Sequence, residues 1–71
     1  MNRVTFYEDH LEITSYGNGH AFAVVNHKTG NELFVQGDDA KQFRDEVLKA
    51  PNAAQAYDDH EWVLAEQPRA E

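Results

Sequence analysis

HAFAVVNHKTGNELFVQ, residues 20–36, decides the fold. β-Branched and aromatic residues flank Lys28-Thr29-Gly30-Asn31, and Gly30 supplies the positive φ that a three-residue hairpin with a bulge requires. The stretch therefore predicts two antiparallel strands joined by a tight turn. Neither it nor any other segment carries a motif that names a reaction or a ligand.

Toward the N-terminus the period of two continues. Arg3 to Tyr7 alternates Val4 and Phe6 with Arg3, Thr5 and Tyr7, and His10 to Tyr16 alternates Leu11 and Ile13 with Glu12, Thr14 and Tyr16. Glu8-Asp9 and Gly17-Asn18-Gly19 are the intervening turns, which makes a four-stranded meander. A turn at Glu8-Asp9 sets Phe6 opposite Leu11 and Val4 opposite Ile13. A loop centred on Asn18 sets Leu11 opposite Val25, and one centred on Thr29 sets Val25 opposite Leu33. This register collects Val4, Phe6, Leu11, Ile13, Ala21, Ala23, Val25, Leu33 and Val35 on one uncharged face, the expected core, with the alanines leaving room for a covering element.

That cover is expected from the C-terminal half. Asp39-Ala40-Lys41-Gln42 has capping-box spacing, and Ala40, Phe43, Val47 and Leu48 share one face of a helix running to Ala50. Pro51 ends that helix, since the residue before proline is disfavoured in the α region. Asn52-Ala53-Ala54-Gln55 repeats the box and starts a second helix reaching about Ala65, with Trp62 toward one flank. The expected fold is α+β: a four-stranded antiparallel meander followed by two helices packed on one face (ββββαα), a single domain over residues 1–66 with a frayed tail at 67–71.

With 71 residues and no cysteine, the chain has one small core, no disulfide and no thiolate ligand, a composition at home in a reducing cytoplasm. No apolar run approaches the roughly 20 residues that span a bilayer, and no apolar signal region follows Met1. Thirteen acidic against six basic residues give a formal charge of -7, which disfavours phosphate backbones and anionic membranes and favours basic partners.

In this register the other sheet face presents Tyr7, Tyr16, Phe22, Val24 and Phe34 to water. An apolar patch of that kind, rimmed by polar groups, marks a contact with a partner or with a second copy, giving a homodimer. Asp9, His10 and His27 fall at one end of the sheet, where three ligands could converge; zinc normally takes four protein ligands or three plus water, so the expectation is no metal and no cofactor. Asp58, Asp59, His60 and Glu61 could suggest acid–base chemistry, but no second catalytic set accompanies them and an enzyme is not expected.

Between Pro51 and Pro68 the acidic residues Asp58, Asp59, Glu61 and Glu66 surround Trp62 without a Lys or Arg. One reading is a solvated helix face; the sharper one is an acidic surface with an aromatic anchor that docks on a basic surface and occludes a nucleic-acid groove. In general character, being short, acidic, cysteine-free and without a catalytic motif, the chain looks like the accessory proteins of phages and mobile elements, including anti-CRISPR and anti-restriction inhibitors. The expected function is thus a non-enzymatic inhibitor or adaptor that binds a basic, nucleic-acid-handling protein complex. A structural homodimer and a small metal- or ligand-binding protein are the alternatives.

Overall fold

Two four-residue turns set the register of the sheet. The computed structural model describes residues 3–69. Strands β1 (Arg3–Glu8), β2 (Leu11–Tyr16), β3 (Ala21–Asn26), β4 (Asn31–Gln36) and β5 (Gln67–Pro68) form one antiparallel sheet in the order β1-β2-β3-β4-β5. Tyr16 pairs with Ala21 and Asn26 with Asn31, so each of the two loops between them has four residues rather than three. A loop one residue longer shifts the pairing by one and exchanges the faces of the strand that follows. Two such shifts in succession turn β3 over and restore β4.

The third strand therefore corrects the sequence-based core. Phe22, Val24 and Asn26 are buried, whereas Ala21, Ala23 and Val25 lie on the opposite face. The observed pairs are Ile13 with Val24 and Val24 with Leu33, not Leu11 with Val25 and Val25 with Leu33. The physical reason is area: a buried phenyl ring removes far more apolar surface from water than the alanines beside it. Burying Asn26 is the cost, and hydrogen bonds offset it. Its Oδ1 accepts from the main-chain N–H of Lys28 at 2.9 Å and of Thr29 at 3.3 Å, which folds the β3–β4 turn.

The first hairpin turns at Asp9-His10, one position later than expected, with Asp9 at φ 55°. Phe6 then faces Ile13 and Val4 faces Ser15. The shift is by two residues, so the faces are kept, but Val4 moves outward along the strand and is 59% exposed instead of joining the core.

After β4, Gly37 (φ 62°) precedes α1 (Asp38–Phe43), which continues into a single π-helical segment, Arg44–Leu48. Asp39 is not the cap. The helix begins one residue before it, Asp38 and Asp39 both sit in the first turn where they complement the helix dipole, and the Gly37 carbonyl accepts from Lys41 N at 3.2 Å. In the widened turn the Lys49 N–H reaches the Arg44 carbonyl five residues back at 3.1 Å. Asn52 caps α2 (Ala53–Asp59) as expected, its side chain accepting from Gln55 N at 3.2 Å.

α2 ends at Asp59 rather than near Ala65. Two carboxylates in its last turn oppose the dipole, no cation offsets them, and His60 is extended. Glu61–Trp62 lead into a short 3₁₀ turn, Val63–Ala65, and then into β5, so Gln67 and Pro68 pair with Glu32 and Asn31 instead of fraying. Of the rest of the tail, Arg69 is exposed and outside any element, and Ala70 and Glu71 lie outside the described residues. Leu11, Ile13, Phe22, Val24, Leu33 and Val35 enter one buried cluster with Ala40, Phe43, Val47, Ala53, Ala54 and Tyr57. Phe43 is its centre: the rings of Phe22 and Trp62 lie 5.4 Å away and that of Tyr57 6.2 Å away. No helix among the described residues is long and apolar enough to cross a membrane.

Candidate functional site

The residues singled out in the sequence divide into three groups. Phe22 and Val24 are core residues, 2% and 0% exposed, and leave the interface set because β3 is turned over. Tyr7 (69% exposed), Phe34 (57% exposed) and the half-buried Tyr16 lie on the sheet face turned away from the buried cluster, the open face in that sense alone. Pairing places Tyr16 beside Ala21, and Thr14, Ala23 and Phe34 in one cross-strand row. The alanines that were to make room for a helix thus make a shallow trough on the open side, with Tyr16 and Phe34 rings 6.5 Å apart across it. Thr5 and Thr14 hydroxyls join on the same face at 2.9 Å.

Glu66 is the most heavily engaged residue of the acidic set. It accepts from Asn26 Nδ2 at 2.9 Å, from Thr29 Oγ1 at 2.9 Å and from the Tyr57 hydroxyl. This carboxylate ties the C-terminal segment to the β3–β4 turn and to α2, so its chemistry is spent inside the fold. Burial and the adjacent carboxylate hold the Tyr57 phenol far above its ordinary value of 10.0. An unfolded Tyr57 ionises near that value while the folded one does not, so the stability it contributes is intact below pH 10 and is lost as the pH rises further. Alkaline unfolding followed by circular dichroism is expected to be blunted in Tyr57→Phe. Glu66→Ala strands the buried Asn26 amide and Tyr57 hydroxyl, and is expected to lower stability by about 1–3 kcal/mol in urea melts.

The histidines do not converge. His10 lies between two carboxylates, with Nδ1 3.3 Å from Asp9 Oδ2 and Nε2 3.1 Å from Asp58 Oδ1. His27, although main-chain bonded to His10, turns its Nε2 to Glu12 Oε1 at 3.0 Å. Alternation explains the divergence: His27 and Glu12 lie on the open face, whereas Asp58 belongs to α2. Among the described residues no group of three or more His, Asp or Glu is arranged to hold a metal ion. The Asp58–Glu61 run is split as well. Asp58 turns to His10, and His60 Nδ1 donates to the Ala56 carbonyl at 2.6 Å with Nε2 3.8 Å from Glu46. Asp59 and Glu61 point to solvent.

Trp62 is not a free anchor. Its ring packs edge-on against Phe43, and its indole N–H is buried without an acceptor among the described residues. What it does instead is wall an open cleft of about 640 Å³ between β4, α1 and residues 60–65. Leu33, Phe34 and Val35 form one side; Asp39, Gln42, Glu46, His60, Glu61, Trp62 and Ala65 form the rest. Carboxylates line it and no Lys or Arg does. Of these, Asp39, Gln42 and Glu46 went unnoticed in the sequence as site residues, because only the return of the chain after α2 brings His60–Ala65 opposite α1. A second hollow of about 460 Å³ shares Leu33, Phe34 and Ala65 and adds Ala23, Glu32 and Gln67.

Comparison of the chain with protein-family models, with curated proteins and with solved structures finds no match.

Proposed function

We propose that this chain is a small acidic protein-binding module without catalytic chemistry of its own. It acts in the cytoplasm as an inhibitor or adaptor by docking on a basic surface of a nucleic-acid-handling protein complex. The observation that carries the reading is the carboxylate-lined cleft beside an exposed phenylalanine: Asp39, Glu46 and Glu61 with Phe34, and no Lys or Arg among the described residues on the lining. An apolar anchor inside a ring of one sign supports steering toward, and retention of, a surface of the opposite sign. The net charge of -7 supports it as well. The reading takes both helical segments as lying on the Leu11–Ile13 side of the sheet, and the shared buried cluster supports that placement.

Asp39→Lys combined with Glu61→Lys tests it, since both side chains are solvent-exposed and Asp38 stays in the first turn of α1 to complement the dipole when Asp39 is replaced. Wild-type protein immobilised and challenged with nuclease-treated lysate is expected to retain a nucleic-acid-binding complex that added duplex DNA displaces. The double variant is expected to retain it at least about tenfold less well. Retention unaffected by both the DNA and the reversal would sink the proposal.

A homodimer through the open face is the second reading, favoured by the exposure of Tyr7 and Phe34 around the alanine trough. Light scattering over a concentration series decides it. A dimer that Phe34→Lys returns to monomer assigns the face to self-association, and a monomer throughout removes the reading.

A further inference from the structure

Among the described residues, two of the three outward-facing positions of β4, Phe34 and Gln36, are left unpaired next to the acidic cleft. Gly37 N donates to His20 O at 3.3 Å and His27 N to His10 O at 2.9 Å, which fixes the alternation of both ladders. In β3 the odd residues bond to β2 and the even ones to β4. In β4, accordingly, Leu33 and Val35 bond to β3, while the main-chain N–H and C=O of Glu32, Phe34 and Gln36 point away from it. Glu32 is met by Gln67 of β5. Phe34 and Gln36 meet no strand among the described residues.

Among the described residues no strand pairs with this edge beyond Glu32. β5 runs antiparallel to β4, so Pro68 lies opposite Asn31 and the strand leads away from Leu33–Gln36; the residues that would have continued it, Val63–Ala65, are coiled into the 3₁₀ turn. Unpaired edges of this kind are usually blunted by lysine, proline or a covering loop. Leu33–Gln36 contains none of the first two, and the cleft takes the place of the third.

We propose that an extended, lysine- or arginine-bearing segment of the partner protein adds to β4 at Phe34–Gln36, continuing the sheet from the point where β5 stops. The proposal rests on the reading of the protein as a binder of basic partners and specifies how that partner is held. Main-chain bonds to Phe34 and Gln36 supply register. Alternate side chains of the added strand fall on the open face beside Phe34 and into the cleft toward Asp39, Glu46 and Glu61. Charge selects the occupant: a second copy would bring the same carboxylates to the same edge, whereas a basic strand neutralises them.

The test uses the whole chain and three synthetic octapeptides: one alternating lysine with valine, one with glutamate in place of lysine, and the lysine peptide N-methylated at its four central amides. Titration is followed by amide chemical shifts and hydrogen exchange. The lysine peptide is expected to shift and protect the Phe34 and Gln36 amides, the glutamate peptide to bind at least about tenfold more weakly, and the methylated one to lose the protection. Gln36→Pro removes an outward N–H without touching the ladder to β3, and is expected to abolish binding at an unchanged melting temperature.

Equal binding of the methylated peptide overturns strand addition while leaving the basic-partner reading standing. Equal binding of the glutamate peptide overturns the basic occupant while leaving the edge as the site. Shifts centred on Tyr7 and Tyr16, no binding of the lysine peptide, or a dimer that Gln36→Pro dissociates, each overturns the proposal outright.

Discussion

Replacing Phe43 with alanine is expected to leave much of the protein unfolded in the absence of denaturant. The side chain is fully buried and is the ring on which the sheet, α2 and the C-terminal segment meet, through Phe22, Tyr57 and Trp62 respectively. Truncating a buried phenylalanine costs about 3–5 kcal/mol, because transfer free energy is lost and the cavity left behind collapses only in part. A domain of this length has a total stability on the order of 4–10 kcal/mol. Urea unfolding followed by circular dichroism measures the loss. Phe43→Leu, which keeps most of the volume, is expected to retain a cooperative transition, and a Phe43→Ala midpoint close to wild type would refute the central placement of this ring.

The second large effect separates two neighbouring valines. Val24→Lys is expected to prevent folding, since an ammonium at a site with no exposure and no carboxylate partner is worth about 4 kcal/mol or more of destabilisation. Val25→Lys is expected to change stability by less than about 1 kcal/mol, because it emerges on the open face directly between Glu12 and Glu32. Thermal melts of the two variants side by side read the register of β3. The register with three-residue turns would give the opposite result, with Val25→Lys unfolded and Val24→Lys tolerated.

That contrast also marks how far the sequence could be read. Strand positions, the hairpin order and the inward residues of β2 and β4 follow from alternation, and Ala40, Phe43 and Val47 from helical spacing, because charged residues such as Glu12, Glu32, Lys41 and Asp45 fall on one face only and so mark the other as inward. β3 offers no such test: Ala21, Phe22, Ala23, Val24 and Val25 are apolar on both sides, so only turn length fixes its orientation. The turn residues do not state their own length. Asn26 carried the missing signal, since asparagine at a strand end readily accepts from main-chain N–H groups two and three residues on, here those of Lys28 and Thr29. The π-helical segment and the end of α2 were equally silent, the first because it leaves no compositional trace. The second was hidden because the acidic run Asp58–Asp59 reads as surface until its place at the negative end of a helix is known.

The same limits apply to the candidate site. Trp62 and Glu66 stood out as an aromatic and a carboxylate in an acidic stretch, yet one is packed on Phe43 and the other saturated by three donors. Side-chain type suggested exposure; packing against residues distant in sequence decided otherwise. The cleft could not be read from local pattern at all, since β4, α1 and residues 60–65 come together only in the folded chain.

The edge-on seat of Trp62 gives the protein a built-in optical probe. It is the chain's one tryptophan, so its emission reports a single event, the docking of the segment after α2 onto Phe43. Far-ultraviolet circular dichroism reports the sheet and helices instead. Coincident transitions by the two signals mean that the sheet and its C-terminal closure form one cooperative unit. An emission change that precedes the loss of ellipticity means that the wall of the acidic cleft opens on its own, and hence that the cleft's geometry is adjustable while the sheet stays intact.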